Sequence, residues 1–361
     1  MLGEYRQRQL LSASTEDLSN RFLVASMQTA LDSAQQSMDL IRAMLQSSQG
    51  TGDRADAALS SAIPTVPRWH FAMLNDLERN EAFAVALEKV VPSGAHVLDI
   101  GSGTGLLAMM VARAGAASVT TCEQNPTLAE LARQIVARHG LSDVITIVPK
   151  MSTDLVVGVD LPRRADLIVS EIVDCGLVGE GVLPTIRHAR EHLLAPGGTL
   201  LPESARIFGT LVDSVAVARL NRVQFAGGFD VELLNGLATR GHFPVRLPTW
   251  PHRLLSPATE LCSFDFASGS LADGSTEVDI DVTETGNAHG LAVWFDLSLG
   301  GGIVLRNSPD NLGSHWMQAF VPFDEPVELD AGERVRLDFC WQGTRLSVSK
   351  IYVSATAKGT Q

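Results

Sequence analysis

Apolar positions along the chain change period twice, and each change marks a new region. In EDLSNRFLVASMQTALDSAQQSMDLIRAMLQ they return mostly every three or four residues, at Phe22, Met27, Leu31, Met38, Ile41 and Leu45, which predicts helix across much of residues 1–60. The turn-rich SSQGTGDRAD ends it. AIPTVPRWHFAMLNDLERNEAFAVALEKVV then reads as a proline-interrupted strap that becomes a helix. From residue 95 short apolar runs alternate with helical segments: HVLDI, SVTTCEQ, VITIVPK, ADLIVSE and GGTLLPES as strands, with LLAMMVARAG and NPTLAELARQIVARHG as helices between them. Short connections between alternating strands and helices predict a doubly wound, Rossmann-like α/β domain over 61–202. Beyond residue 203 the helices largely stop. RIFGTLVDS, AVWFDLSLG, WMQAFVPF, RVRLDFCW and LSVSKIYVSA read as strands broken by Gly and Pro turns, so 203–361 is predicted to be a β-barrel domain.

Composition narrows the function classes. Apolar residues make up 45% of the 361, enough for a large core, and no run of 18 consecutive apolar residues predicts a membrane span. The opening MLGEYRQRQLLSASTEDL lacks an apolar signal-peptide core, and Cys122, Cys175, Cys262 and Cys340 form neither a CxxC nor a zinc spacing. A cytoplasmic protein with reduced thiols and no bound metal is therefore expected. With 28 basic and 41 acidic residues the net charge is −13, and no basic run exceeds two residues. That argues against a nucleic-acid partner, which needs a positive footprint, and is compatible with a cationic substrate.

The first concentration of chemistry is VLDIGSGTGLL. Gly101, Gly103 and Gly105 stand between a strand and a helix, where backbone can approach a ligand closely at a helix N-terminus. A tight turn without a ligand has the same appearance. Asp99 lies two residues before the first glycine, as a ligand acid or a strand-end cap. Glu123 follows the next strand, 18 residues past Gly105, a spacing suited to holding both ribose hydroxyls. An acid beside the glycines would repel a pyrophosphate and suit an ammonium, and no second mononucleotide half follows. S-adenosyl-L-methionine (SAM) is thus favoured over a dinucleotide. Met151 and Ser152, just after VITIVPK, are placed near its adenine.

Several separated stretches between residues 68 and 320 resemble the protein arginine methyltransferases. VLDIGSGTGLLAMMVARAGA is similar to their SAM-binding motif and TCEQN to their ribose-binding strand end. SEIVDCGLVGEGVLP resembles the double-glutamate loop, with Glu171 and Glu180 nine residues apart. GSHWMQAF resembles the threonine-histidine-tryptophan loop, with Ser314 in the threonine's place, and HFAMLNDLERN resembles the helix that closes over the cofactor. ERNEAF, LVGEGVLP and RGHFPVRL are closest to the monomethylating branch. The usual tyrosines of the N-terminal helix are missing: only Tyr5 and Tyr352 occur, and Trp69, His70 and Phe71 stand in that neighbourhood.

The resemblance implies that Glu171 and Glu180 grip a guanidinium, whose planar fork of five N–H donors suits two carboxylates. It implies that His315 borders the pocket and pairs with Asp76, that Trp316 packs behind it, and that Arg79 binds the cofactor's carboxylate. Met73 falls where methyl count is controlled. Core packing for His315, Trp316 and Met73, and a surface pair of Arg79 with Asp76, are the plainer alternatives. Asp174, between the glutamates, is left as either exposed or touching substrate. Free L-arginine, as in stand-alone bacterial arginine methyltransferases that feed natural-product pathways, is preferred to a protein substrate; Arg68, His70 and Arg240 are candidates to hold its α-carboxylate. An inactive SAM-binding module is the alternative outside enzymology, and a dehydrogenase the other enzyme. The resemblance also implies a helical arm within the barrel, short here, around FDVELLNGLA, and a homodimer, to which residues 15–47 are expected to contribute.

Overall fold

Five short apolar strands need cover on both faces, and helices on either side supply it. The computed structural model of the protein describes residues 67–355; the helical segment 1–60 and the dimerisation expected of 15–47 lie outside the described residues. Two helices come first, α1 (Trp69–Leu74) and α2 (Leu77–Val90). They are separate because Asp76 leaves helical geometry at ψ 97 and its carboxylate caps α2, accepting from the Arg79 N–H at 2.9 Å. The parallel sheet and its helices follow: β1 (His96–Ile100), α3 (Leu106–Arg113), β2 (Ser118–Cys122), α4 (Pro126–Arg138), β3 (Ile145–Val148), β4 (Ala165–Ser170), α5 (Val182–His192) and β5 (Leu194–Leu201). Asn125 and Pro126 fix the start of α4, the asparagine accepting from Thr127 at 2.9 Å and proline filling the first turn. Strand order is β3-β2-β1-β4-β5, all parallel. This is the doubly wound sheet that the alternation predicts.

After Leu201 the chain becomes antiparallel. β6 (Ser204–Asp213) leads to the short α6 (Val215–Ala218), then a two-residue hairpin, β7 (Phe225–Ala226) and β8 (Phe229–Asp230). β9 (Phe243–Val245), β10 (Arg253–Leu254), β11 (Thr259–Asp265), β12 (Gly274–Asp281), β13 (Gly286–Gly300), β14 (Ile303–Arg306), β15 (Gln318–Leu329), β16 (Glu333–Gln342) and β17 (Arg345–Ala355) complete it. A seven-stranded sheet built on β6, β13 and β15 and a three-stranded sheet β12-β16-β17 make the barrel-like domain. Leu291, Val293 and Phe295 of the first sheet and Val278, Ile280, Val335, Leu337 and Phe339 of the second belong to one buried core with the parallel sheet. α2 ties the halves together: it packs on α3, β13 and β14, and Phe83 and Leu87 are fully buried.

The expected helical arm is corrected. Phe229 and Asp230 pair as strand, and Glu232–Leu237 forms a 3-10 turn instead of an α-helix. Asn235 accounts for this. Its side chain donates to the Val223 carbonyl and accepts from the Val223 N–H, both at 2.9 Å, which favours a local loop over helix.

Candidate active site

The parallel sheet has its switch point between β1 and β4: the chain leaves β1 toward β2 on one side and runs from β4 toward β5 on the other. Loops at the carboxyl ends there diverge and leave a crevice. Ile100 and Ser170 are register partners, so Gly101 and Glu171 leave the sheet side by side. Gly101 and Ser102 both donate to the Cys122 carbonyl, at 3.0 and 2.9 Å, folding the glycine loop over β2. Gly101 has φ 89, and a Cβ there would come within 3.0 Å of the Ile172 side chain. The positive φ favours glycine there, and a side chain would also press on Ile172.

Glu123 is buried at the end of β2. One oxygen accepts from the Gly103 N–H at 3.1 Å and the other from the Asn125 N–H at 2.8 Å. Each carboxylate oxygen still has acceptor capacity for a diol. Asp99 lies beneath the loop with no exposure. One oxygen accepts from the Thr121 hydroxyl at 2.7 Å, and the other has no partner. Burial lifts its carboxyl to about 7 against the pull of Thr121 and the Arg79 charge. The Ser102 and Ser170 hydroxyls and the Arg79 Nε are also buried without partners. Ser152 is buried at the start of the 3-10 turn Ser152–Asp154 after β3, and Met151 beside it is exposed.

Arg79 is the hinge of the arrangement. The expected alternative, a surface pair with Asp76, is corrected: only its backbone N–H reaches Asp76, while its side chain is buried and its Nη2 lies 2.8 Å from Glu171 Oε2. Nη1 donates to Asn80 at 2.8 Å and the guanidinium sits 5.0 Å over Phe83. Burial raises the Glu171 carboxyl, and Arg79 acts against that rise. Asp76 is equally committed. It accepts from the His315 backbone N–H at 2.8 Å and from the His315 Nδ1 at 2.9 Å. Burial would raise Asp76, but these bonds and that from Arg79 outweigh it and hold the carboxyl below its ordinary value. His315 is pushed down by burial, which outweighs Asp76. A neutral ring donating Nδ1–H to an ionised Asp76 is the consistent assignment, and it leaves Nε2 as an acceptor. Trp316 packs edge-on to Phe295 and donates Nε1–H to the Val173 carbonyl at 3.0 Å, so it both fills the core and holds the glutamate loop. Met73 and His70 lie on α1, half-buried, with His70 stacked on Trp69 at 3.7 Å.

The loop 171–181 is held from inside by Asp174. Of the two readings offered for it, exposure is corrected, because the residue is only partly exposed and its carboxylate is engaged within the loop. Its carboxylate accepts from the backbone N–H of Gly179 at 2.7 Å and Gly176 at 3.2 Å, and its other oxygen lies 2.6 Å from His242 Nε2. A Cβ at residue 179 would collide with that carboxylate. Leu177, fully buried, holds φ 77, the one non-glycine residue with positive φ among the described residues. Such a backbone costs about 1–3 kcal/mol and persists only where its surroundings hold it. Glu180 comes at the loop's end. More than a third of it is open to solvent, yet protein crowds the carboxylate, and that partial burial with the charges of Glu171 and Asp174 lifts it to about 7. Asn307 was not anticipated. Fully buried, it donates to the carbonyls of Cys175 (3.0 Å) and Met317 (2.8 Å) and accepts from Phe295 (2.8 Å), joining the glutamate loop to the His315 loop.

A crevice with an acid for a diol, a guanidinium beside the glycines and, among the described residues, no basic cluster for phosphates fits an adenosyl amino acid. The known proteins agree. The family model for the arginine methyltransferase oligomerization subdomain matches residues 203–352, and that for a methyltransferase domain matches 97–198. The arginine N(omega)-methyltransferase of Streptomyces achromogenes subsp. streptozoticus is 57% identical over 295 residues, 82% of each chain. The chain belongs to the protein arginine methyltransferase family. It is a methyltransferase, and SAM is its cofactor. Protein arginine N-methyltransferase 7 of Drosophila ananassae is 31% identical over 310 residues, 73% of this chain but only 45% of that longer protein. In the Trypanosoma brucei PRMT1 enzyme–prozyme heterotetrameric complex with AdoHcy, one chain superposes with TM-score 0.68 at 25% identity, covering 80% of this chain and 93% of its own. Arabidopsis thaliana protein arginine methyltransferase 10 shares the fold, with TM-score 0.63 at 22% identity over 75% of this chain and 86% of its own.

Proposed function

We propose that the protein transfers a methyl group from SAM to an ω nitrogen of free L-arginine, giving Nω-methyl-L-arginine for natural-product biosynthesis in the cytoplasm, and that it works as a homodimer. The observation that carries the reaction is the pair Glu171 and Glu180 at the sheet's switch point, one buried against Arg79 and the other at the opening with no cationic partner among the described residues. Free arginine is preferred because the 57% identical relative matches over 82% of both chains and is named for arginine itself. The relatives named for protein substrates favour a second reading, arginine in a polypeptide, at 31% identity.

Gly101, Gly103 and Gly105, Glu123, Asp99 and Ser152 would hold the cofactor, with Arg79 toward its carboxylate. Bound SAM supplies an electrophilic methyl on a sulfonium. The chain's own residues do the rest. Glu171 and Glu180 hold the guanidinium by charge-assisted bonds and fix which nitrogen faces the methyl. A guanidinium keeps its proton beyond pH 12, so free base is scarce before reaction. Two carboxylates favour charge leaving the attacked nitrogen as it gives up conjugation. Replacing one N–H by N–CH3 releases one proton per turnover and leaves the product a cation. His315 Nε2, with Nδ1–H fixed on Asp76, can accept that proton late.

The test offers methyl-labelled SAM with L-arginine or with an arginine-rich peptide. Methylated free arginine is expected, falling about 100-fold or more in Glu171→Gln because a preorganised electrostatic group is lost. Label on the peptide alone would move the protein to the second reading.

A further inference from the structure

A free amino acid has a charged end that a peptide lacks, and an enzyme that prefers it needs a group for that end. Glu171 and Glu180 cannot serve, since both are anionic. A cavity of about 370 Å³ lies on the barrel side of the glutamate loop. Its walls are residues 238–242 and the turn between β16 and β17, with Arg240, Thr239, Thr344 and Arg345 lining it. The two guanidinium groups have no ion pair or side-chain hydrogen bond among the described residues.

The cavity is joined to the substrate loop directly. His242 in its wall binds Asp174 at 2.6 Å, and His242 Nδ1 accepts from the Leu346 N–H at 3.1 Å, tying its two walls together. Gly176, midway between the glutamates, packs against both: a Cβ there would come within 2.8 Å of His242 and 3.0 Å of Leu346. Thr239 is tied to Asn221 by a double hydrogen bond, each at 2.9 Å, which anchors this wall. The other side of the loop, at Glu171, is taken by Arg79. A substrate whose guanidinium faces the cofactor must extend its α-carbon away from that side, toward the barrel.

We propose that Arg240 and Arg345 bind a carboxylate, and that in turnover it is the α-carboxylate of the amino acid whose guanidinium sits between Glu171 and Glu180. This rests on the free-arginine reading. Two unpaired guanidiniums facing one cavity suit a carboxylate, whose oxygens accept their parallel N–H donors.

Agmatine, which is arginine without its carboxylate, separates this site from the rest of the pocket. With the full-length protein, kcat/KM would be measured for L-arginine and agmatine in wild type, Arg240→Gln, Arg345→Gln and the double variant, with SAM affinity and Tm as checks on folding. Wild type is expected to favour L-arginine. Each single variant should lose about tenfold on L-arginine, and the double variant about 100-fold, mostly through KM, while agmatine changes by less than about twofold. Equal losses on both compounds would mean that the arginines only support the loop, and unchanged L-arginine kinetics would mean that they bind nothing in turnover; either overturns the assignment while leaving free arginine as the substrate. No methylation of L-arginine by wild type would overturn the free-arginine reading first, and this assignment with it.

Discussion

Glu171 and Glu180 share a loop but not an environment. Glu171 has a counter-charge 2.8 Å away, whereas Glu180 has two acidic neighbours and no cation among the described residues. Of the two glutamates, Glu180 is therefore the one that titrates near neutrality, at about 7. Only its carboxylate form can hold a guanidinium, so kcat/KM for arginine should rise with pH through about 7 and level off above it. A bound cation favours the charged form, so kcat should show the same limb displaced to lower pH. The sign for stability is opposite. Between the ordinary glutamate value of 4.5 and about 7 the folded protein keeps a proton that the unfolded chain has released, so this residue costs stability as pH rises through that window. Glu180→Gln should therefore raise Tm relative to wild type at pH 8, change it little at pH 5, and lower turnover at both. A kcat/KM profile that is flat from pH 6 to 8 would remove Glu180 from this role.

Elements matter here through what fixes the loop 171–181. Asn307 satisfies the Cys175 and Met317 carbonyls and the Phe295 N–H at once, all from a fully buried side chain. Asn307→Ala leaves those groups in a space of low polarity, at about 1–3 kcal/mol for each that finds no water. We expect a loss of roughly 2–5 kcal/mol in denaturant unfolding and a higher arginine KM, with SAM affinity kept within about threefold. A variant of unchanged stability would show that the two loops are held by other means. The same contact explains what the sequence made legible. The five strands of the parallel sheet, the glycine loop and Glu123 follow one another within short βαβ spacings, so period and spacing reveal them. Asn307 and His242 reach the loop from 132 and 68 residues away, and no local pattern records such a contact. Asp76 and His315, 239 residues apart, were paired through family resemblance alone. β11 and β12 escaped notice because TELCSFD and GSTEVDID carry more polar than apolar positions, and their outer faces are exposed. The helical arm rested on family resemblance, and no local pattern shows Asn235 reaching back to Val223.

At the scale of the whole molecule, the arm presents an unpaid apolar surface. Phe225, Phe229, Leu233, Leu234 and Leu237 stand exposed between residues 225 and 237, Leu233 at 92%. A cluster of this kind on one projection is a binding surface by the ordinary behaviour of apolar groups in water. The family model over this region is that of an oligomerization subdomain, and a second copy of the chain is the occupant we expect. Docking should reach the active site as well. Beyond the arm, Thr239 is clasped by Asn221, and three residues later His242 holds Asp174 and with it the glutamate loop. Replacing Phe229 and Leu233 together by Ser removes much of the exposed apolar surface without touching the core. Light scattering should then report the monomer mass where wild type gives twice that value, Tm of the monomer should fall by only a few degrees, and the arginine KM should rise several-fold as the arm and the His242 segment loosen. Retention of the dimer would exclude the arm as the contact. A monomer with unchanged KM would keep the arm as the contact but break the link from it, through Thr239 and His242, to Glu180.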